Sequence, residues 1–368
     1  MMFSRSKTAI LSLILAASAI TSIQSITPAY AVVGDTLATI DMEPIIDADN
    51  HFCSIGVAFD GVTLYTDGCF DPLIYKVTTA GAPAGTIDYG SLSGGKVPNA
   101  MAYDISRNGL WIGQQDCVDL TGPLGVPDGT PDMPITFYDF DTGVVTTEFV
   151  IDGTYVNPAT GGTFLQFCFI DGLAFNVNNI ADPSDDELWI SDDIANGPTS
   201  GSGLIRTNTA GVVLTAYDPT TVDAAIGDFG QSGLAVGGAD LYMGNNGGGQ
   251  VFRADEGSDP LVKIDDFVST GIRAEDMECD PFTKAPVEGM WVRNSPQGEP
   301  ADNLLRLFEI EPQTCNPIPP AVGGVVLPTD AMALMGLAIL SQPFWLVLLL
   351  VPAGAAFAAI NFRKSYCH

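Results

Sequence analysis

Apolar positions between residues 56 and 293 fall in short runs rather than long helical stripes, and the runs come in pairs. A small turn residue opens an apolar strand, a gap follows, and a second strand starts with leucine or methionine and an aromatic residue. Gly56-Val57-Ala58-Phe59 precedes Leu64-Tyr65-Thr66, and Ala100-Met101-Ala102-Tyr103 precedes Leu110-Trp111-Ile112. Gly172-Leu173-Ala174-Phe175 precedes Leu188-Trp189-Ile190, and Gly233-Leu234-Ala235-Val236 precedes Leu241-Tyr242-Met243. The fifth copy diverges most, with Asp276-Met277-Glu278-Cys279 before Met290-Trp291-Val292. Self-similarity at a period of about 40–50 residues, carried by short strands, predicts an all-β fold, a β-propeller with one sheet per repeat.

A blade has four antiparallel strands, the first at the central channel and the fourth at the rim. The second repeat supplies all four, over 101–104, 110–113, 135–140 and 144–151, with Asp141-Thr142-Gly143 as a hairpin turn. Outer pairs are expected at 74–78 and 85–89, at 204–207 and 212–217, and at 250–254 and 261–265. The fifth repeat has a third strand at 304–310 but no fourth. Residues 36–41 can fill that place and close the ring, which removes the open sheet edges that invite aggregation. The count favours five blades. Six stays open, because an ectodomain of about 300 residues is roughly six repeats of this period. The aromatic residues of the second strands are expected in the core between blades.

The two ends read as targeting segments. Arg5 and Lys7 precede an apolar stretch over 8–20, and Ala29-Tyr30-Ala31 is a cleavage site, so residues 1–31 are a signal peptide and the mature chain starts at Val32. The propeller ectodomain then occupies 32–315, a Pro/Gly-rich linker 316–330, and a membrane anchor 331–362. No charge occurs in that last stretch, and about 20 apolar residues suffice to cross a bilayer. Gln342-Pro343 divides it, with Thr329 as an N-cap and 344–360 as the transmembrane helix proper. Arg363 and Lys364 begin a cytoplasmic tail, 363–368. By the positive-inside rule this is a single-pass protein of the cell membrane with its N-terminal domain extracellular. The segment Gly323-Gly324-Val325-Val326-Leu327-Pro328-Thr329-Asp330, with Trp345 in the following span, resembles the C-terminal anchor of exported proteins in ammonia-oxidising archaea. That resemblance implies an ectodomain facing the surface layer.

Charge and cysteine usage agree with export. All 44 acidic residues lie between Asp35 and Asp330 against 10 basic ones, an excess of 34 negative charges. Such a field repels nucleic acid, which is excluded as a partner, and favours solubility and divalent cations. Cys53, Cys69, Cys117, Cys168, Cys279 and Cys315 lie in the ectodomain, an even number that suggests disulfides; Cys367 lies in the tail. Cys53 and Cys168 precede first strands, and Cys69 and Cys117 follow second strands, on one face of a propeller. Of 15 pairings for six cysteines, this topology points to Cys53–Cys69, Cys117–Cys168 and Cys279–Cys315.

The same face gathers the longest insertions, at 115–134, 152–168 and 193–203, where repeat scaffolds usually bind their partners. Aligning the repeats puts Ile55, Asn99, Asp171, Ser232 and Glu275 in one column before the first strands, ringing the channel mouth. A second column, after the second strands, holds Gly68, Gln114, Asp192, Asn245 and Asn294, with Asp67, Asp193 and Asn246 beside it. Asp67, Gln114, Asp192, Asp193, Asn245 and Asn294 are thus expected on a binding face. Carboxylate and amide oxygens with no nitrogen or sulfur cluster suit a hard cation, Ca²⁺ before Mg²⁺, with Asn99, Asp171, Ser232 and Glu275 as its ligands. Polar lining at strand starts that meet water is the competing explanation. His51, after Asp47-Ala48-Asp49-Asn50, is a candidate general base, although a lone loop histidine is more often only solvated. No Gly-x-Ser-x-Gly, His-x-x-x-His or Gly-rich phosphate loop occurs.

Val97-Pro98-Asn99, Asp171-Gly172-Leu173-Ala174 and Glu275 resemble the Pro-Asn-Gly, Asp-Gly-Leu-Ala and Glu-Gly segments of the SMP-30 (gluconolactonase-like) propellers. That resemblance implies a calcium ion held in the channel by Asn99, Asp171 and Glu275, and hydrolysis of lactones or esters. Ala100 and Asp276 depart from the glycines of that pattern, and five blades depart from the family's six. Two functions follow: a surface-anchored module binding a protein, glycan or small ligand through its insertion-rich face, or a calcium-dependent lactonase or esterase. The incomplete ring favours the first.

Overall fold

A computed structural model of the chain describes residues 32–46, 54–68, 71–114, 133–151, 154–156, 163–165, 170–177, 183–192, 203–217, 231–238, 240–245, 249–258, 261–269, 273–294, 303–312 and 314–315. These form an all-β propeller of five four-stranded antiparallel blades. Blade 5 takes its outermost strand from the start of the domain, β1 (Thr36–Asp41). Blade 1 comprises β2 (Val57–Phe59), β3 (Thr63–Asp67), β4 (Leu73–Thr78) and β5 (Pro83–Asp88), followed by a short helix α1 (Tyr89–Ser93). Blade 2 comprises β6 (Pro98–Asp104), β7 (Gly109–Gln114), β8 (Met133–Asp139) and β9 (Val145–Ile151). A separate hairpin of β10 (Thr154–Val156) and β11 (Thr163–Leu165) follows. Blade 3 comprises β12 (Ile170–Asn176), β13 (Glu187–Asp192), β14 (Leu204–Asn208) and β15 (Val213–Tyr217). Blade 4 comprises β16 (Gln231–Gly237), β17 (Asp240–Asn245), β18 (Gln250–Asp255) and β19 (Val262–Ser269). Blade 5 runs from β20 (Ala274–Asp280) through β21 (Gly289–Asn294) and β22 (Leu304–Glu309) to β1.

The expected end-to-end latch is therefore present: β1 pairs antiparallel with β22, Thr39 opposite Arg306. Two elements were not expected. Tyr89 starts α1 instead of ending a rim strand, because Asp88 caps the turn by accepting from Ser91 N at 3.1 Å and Gly94 closes it at φ 78°. The β10–β11 hairpin falls within an insertion anticipated as loop.

Five apolar clusters hold the ring, one at each junction of neighbouring blades. Tyr65 and Ile74 meet Met101 and Leu110; Trp111 and Ile135 meet Leu173 and Leu188; Trp189 and Tyr217 meet Leu234 and Leu241. Tyr242 and Val251 meet Met277 and Met290, and Trp291 and Leu305 meet Val57 and Leu64. The second-strand aromatics are thus core residues, as their pattern predicted. Buried aromatics with polar tips need partners, and acids at the blade turns supply them. Asp104 Oδ2 accepts from Trp111 Nε1 at 3.0 Å, Asp280 Oδ2 from Trp291 Nε1 at 2.7 Å, and Asp60 Oδ2 from Tyr65 Oη at 2.8 Å. Part of the acidic excess is therefore built into the repeat.

Cys279 and Cys315 form the disulfide expected for the last blade, with Cα atoms 5.6 Å apart. Cys53, Cys69, Cys117 and Cys168 lie outside the described residues, as do the signal peptide, the linker, the anchor and the tail. Among the described residues no helix is long and apolar enough to cross a membrane.

Candidate functional site at the channel mouth

Strand register brings the two aligned columns to one end of the ring. Pro98 lies opposite Gln114, Ile170 opposite Asp192, Gln231 opposite Asn245, and Ala274 opposite Asn294. At this end the first column links blade to blade. Asn99 Nδ2 donates to Asp171 Oδ1 at 3.1 Å and to Ile170 O at 2.7 Å. Ser232 Oγ donates to Glu275 Oε2. Ile55 contributes only its backbone, its carbonyl accepting from Asp276 N at 3.2 Å.

A residue outside both columns joins these pairs. Arg273, just before β20, sets Nε 2.5 Å from Glu275 Oε1 and Nη2 3.5 Å from Asp171 Oδ2. Its side chain is 23% exposed, against 4% for Asp171 and 1% for Glu275, so a guanidinium roofs two buried carboxyls. A second arginine lies wholly buried: Arg293 Nη1 donates to Asn294 O and Leu304 O, both at 3.1 Å, and Nη2 donates to Asn303 Oδ1. Burial lowers its pKa to about 10.

Of the second column and its neighbours, Asp67, Gln114, Asn245 and Asn294 are buried. Asp67 Oδ1 ties down the start of blade 1 by accepting from Ile55 N at 2.9 Å and Gly56 N at 2.8 Å. Asn294 Nδ2 holds Arg273 O at 3.1 Å. Asp192 ends β13. His51, Asp193 and Asn246 lie outside the described residues.

Beneath the mouth, the axis is filled by two acids of the divergent repeat. Asp276 takes the place held elsewhere by Gly56, Ala100, Gly172 and Gly233, and Glu278 that of Ala58, Ala102, Ala174 and Ala235. Alternate strand residues share a face, so four blades bring only small side chains to the axis and blade 5 fills the space. Asp276 Oδ2 accepts from Met101 N at 2.7 Å and Val57 N at 3.3 Å, and Oδ1 from Leu173 N at 3.2 Å. Glu278 Oε2 accepts from Tyr103 N at 3.1 Å. Blades 1, 2 and 3 are thereby tied to blade 5 through two carboxyls.

Burial is the largest cause of raised pKa values across this cluster. It pushes Asp67 and Glu275 up to about 7, Glu278 to about 8, and Asp276 well above the carboxylate range. Arg273 opposes the rise at Glu275 and Asp171 adds to it. Folding therefore takes up protons at these groups. A folded pKa above the unfolded one gives stability that is full below about pH 4 and is lost as pH rises through the folded values of about 7 to 8. Melting temperature is expected to fall from pH 5 to pH 8. Glu278→Gln, neutral throughout, should flatten that slope by an amount on the order of a few kcal/mol, at about 1.4 kcal/mol per pH unit. An unchanged slope in thermal melts of this variant would place the protonation elsewhere.

A Ca²⁺ ion takes about six to eight oxygens at about 2.3–2.6 Å. Asn99, Asp171, Ser232 and Glu275 do converge, but as arranged they do not fit that ion. The Arg273 guanidinium already neutralises both carboxyls, Asn99 turns its NH₂ rather than its carbonyl oxygen to Asp171, and Ser232 spends its proton on Glu275. Among the described residues no group of three or more His, Cys, Asp or Glu is arranged to hold a metal ion. Arg273, Arg293 and Glu278 were not among the candidate residues read from the sequence, and Asp276 entered only as a departure from a glycine. The legible signal for the last two was an Asp and a Glu at alternate positions where four repeats have glycine or alanine.

No protein-family model matches this chain, and no curated protein matches it. Solved structures similar to it include a luciferin-regenerating enzyme, 10% identical, with 72% of this chain and 94% of that chain covered at a TM-score of 0.44. Regucalcin from Agrobacterium tumefaciens, a calcium-binding protein, is 13% identical over 77% of this chain and 97% of that one, at 0.43. The PQQ-bound aldose sugar dehydrogenase of Streptomyces coelicolor is 12% identical over 75% and 98%, at 0.39. Likenesses this distant carry nothing about activity, and the propeller assignment rests on the strand order above.

Proposed function

We propose that the protein is a hydrolase acting on a small lactone or ester at the channel mouth, without a metal ion. The observation that carries the reading is the Ser232–Glu275–Arg273–Asp171 chain, in which a buried carboxyl with a pKa near 7 lies beneath a partly exposed guanidinium. A general base works best with a pKa near the operating pH. Glu275 takes a proton from a water as its oxygen attacks the carbonyl carbon. Arg273 moves from Glu275 to the carbonyl oxygen and stabilises the negative charge that develops there. The tetrahedral adduct then expels the alcohol oxygen, which receives the proton back from Glu275. Ser232 orients the base, and Asp171 holds the arginine.

The guanidinium set over two buried carboxyls at the mouth supports hydrolysis better than a binding module. The basic-then-apolar pattern of residues 1–31 and the apolar C-terminal run support a membrane-anchored enzyme facing outward.

The test is hydrolysis of γ- and δ-lactones and p-nitrophenyl acetate by the full chain. Glu275→Gln is expected to lower kcat/KM by about 100-fold or more, the usual contribution of a general base. The wild-type rate should rise with pH through about 7, as Glu275 loses its proton, and should survive EDTA. Activity retained in Glu275→Gln would sink the assignment of the base. Loss of activity in EDTA, with Ca²⁺ binding by calorimetry, would restore the metal-dependent alternative.

A further inference from the structure

A second polar site lies away from the axis, where α1 of blade 1 meets the outer strands of blade 2. It is a cleft of about 270 Å³ whose wall includes Leu92, Ser93, Lys96, Gln114, Thr136 and Thr147. At about 30 Å³ per water it holds roughly nine waters, which is below the range of drug-sized sites and suits a single sugar ring.

Gln114 is the informative residue. It is 1% exposed, and its Nε2 donates to Tyr89 Oη at 2.7 Å. Thr136 Oγ1 donates to Ile112 O at 3.3 Å and lies 2.8 Å from Tyr89 Oη. Protons therefore run one way, from the amide to the tyrosine, from the tyrosine to the threonine, and from the threonine to the backbone. This order commits the NH₂ of Gln114 inward and leaves its oxygen over. That Oε1 is buried and accepts from no donor among the described residues. Buried acceptors are nearly always satisfied, so this oxygen calls for a donor from within the cleft. The other walls include Ser93, whose Oγ pairs with the backbone of Lys96, the exposed Thr147 of β9, and Leu92, an exposed apolar residue.

We propose that this cleft binds a monosaccharide, one hydroxyl donating to Gln114 Oε1 and a C–H face resting on Leu92. A sugar combines donor hydroxyls with an apolar face, which is the combination these walls present. The site is independent of the hydrolytic reading of the mouth.

Titration of D-glucose, D-galactose and D-mannose into the full chain, followed by saturation-transfer NMR, tests the proposal. At least one sugar is expected to bind with a Kd of about 5 mM or tighter. Gln114→Leu removes the acceptor while keeping the bulk, and should weaken binding about tenfold or more. Thr147→Val, on the exposed rim strand, should weaken it about threefold. Glu275→Gln should bind as wild type, which separates this site from the mouth. No binding of any of the three at 10 mM sugar, a concentration of about twice that Kd, overturns the proposal. So does wild-type affinity in Gln114→Leu or, should that variant not fold, in Thr147→Val.

Discussion

Gly233→Ala is expected to destabilise the propeller by at least about 3 kcal/mol, and to a degree that leaves little folded protein if the ring is only marginally stable. A Cβ on Gly233 would sit 1.1 Å from the carbonyl oxygen of Glu275 and 2.8 Å from Asp276 Cα. These are backbone atoms of the neighbouring inner strand, so no side-chain rotation relieves the clash. Blades 4 and 5 would have to separate at the axis, which parts Tyr242 and Val251 from Met277 and Met290. Gly257→Ala is the matched control. Its Cβ would meet nothing nearer than 3.5 Å, and it lies in a turn, so a change of about 0.5 kcal/mol or less is expected. Urea denaturation of the two variants decides the matter. Equal midpoints would mean that the inner strands are not in this contact.

The second large effect is expected at Asp276. Asp276→Ala restores the small residue of the other repeats but strips three buried backbone donors, Val57 N, Met101 N and Leu173 N, of one shared acceptor. Leaving a buried donor unpaired costs about 1–3 kcal/mol each, so a loss of about 2 kcal/mol or more is expected even if water reaches one of them. Asp276→Asn keeps one acceptor oxygen and should fall between alanine and wild type. Hydrogen exchange gives the sharper measurement: in Asp276→Ala the amides of residues 57, 101 and 173 should lose protection together, although they belong to three different blades. Protection retained at all three would rule out a shared central acceptor.

Much of the architecture was legible because a propeller repeats one local pattern. Each blade is written within one stretch of chain, so strand order, the Leu-aromatic core and even the latch by residues 36–41 follow from reading the repeats against each other. Cys279–Cys315 was legible for the same reason, both cysteines belonging to the final blade. The convergence of Asn99, Asp171, Ser232 and Glu275 also followed, since equivalent strand starts share one end of the ring. What they do there did not follow. Arg273 precedes its strand by one residue and belongs to no column, and only the closeness of blades 3 and 5 across the mouth carries it to both carboxyls. The oxygens that suggested calcium are met there by a guanidinium. The cleft beside Gln114 was hidden for a different reason. It depends on α1 turning where a rim strand was expected, which brings Tyr89 to within hydrogen-bonding distance of blade 2.

The chain by itself determined the ring: five short-stranded repeats, their aromatic cores, their small inner residues, and the odd pair of acids in the last one. Apolar periodicity and turn residues act over a few neighbours, so they are written locally. The tertiary structure alone decided which charges meet at the axis, where Asp276 binds three blades at once, and how Arg273 roofs Glu275. Those contacts join residues tens to hundreds of positions apart, and their chemistry depends on distances and burial that exist only once the ring has closed.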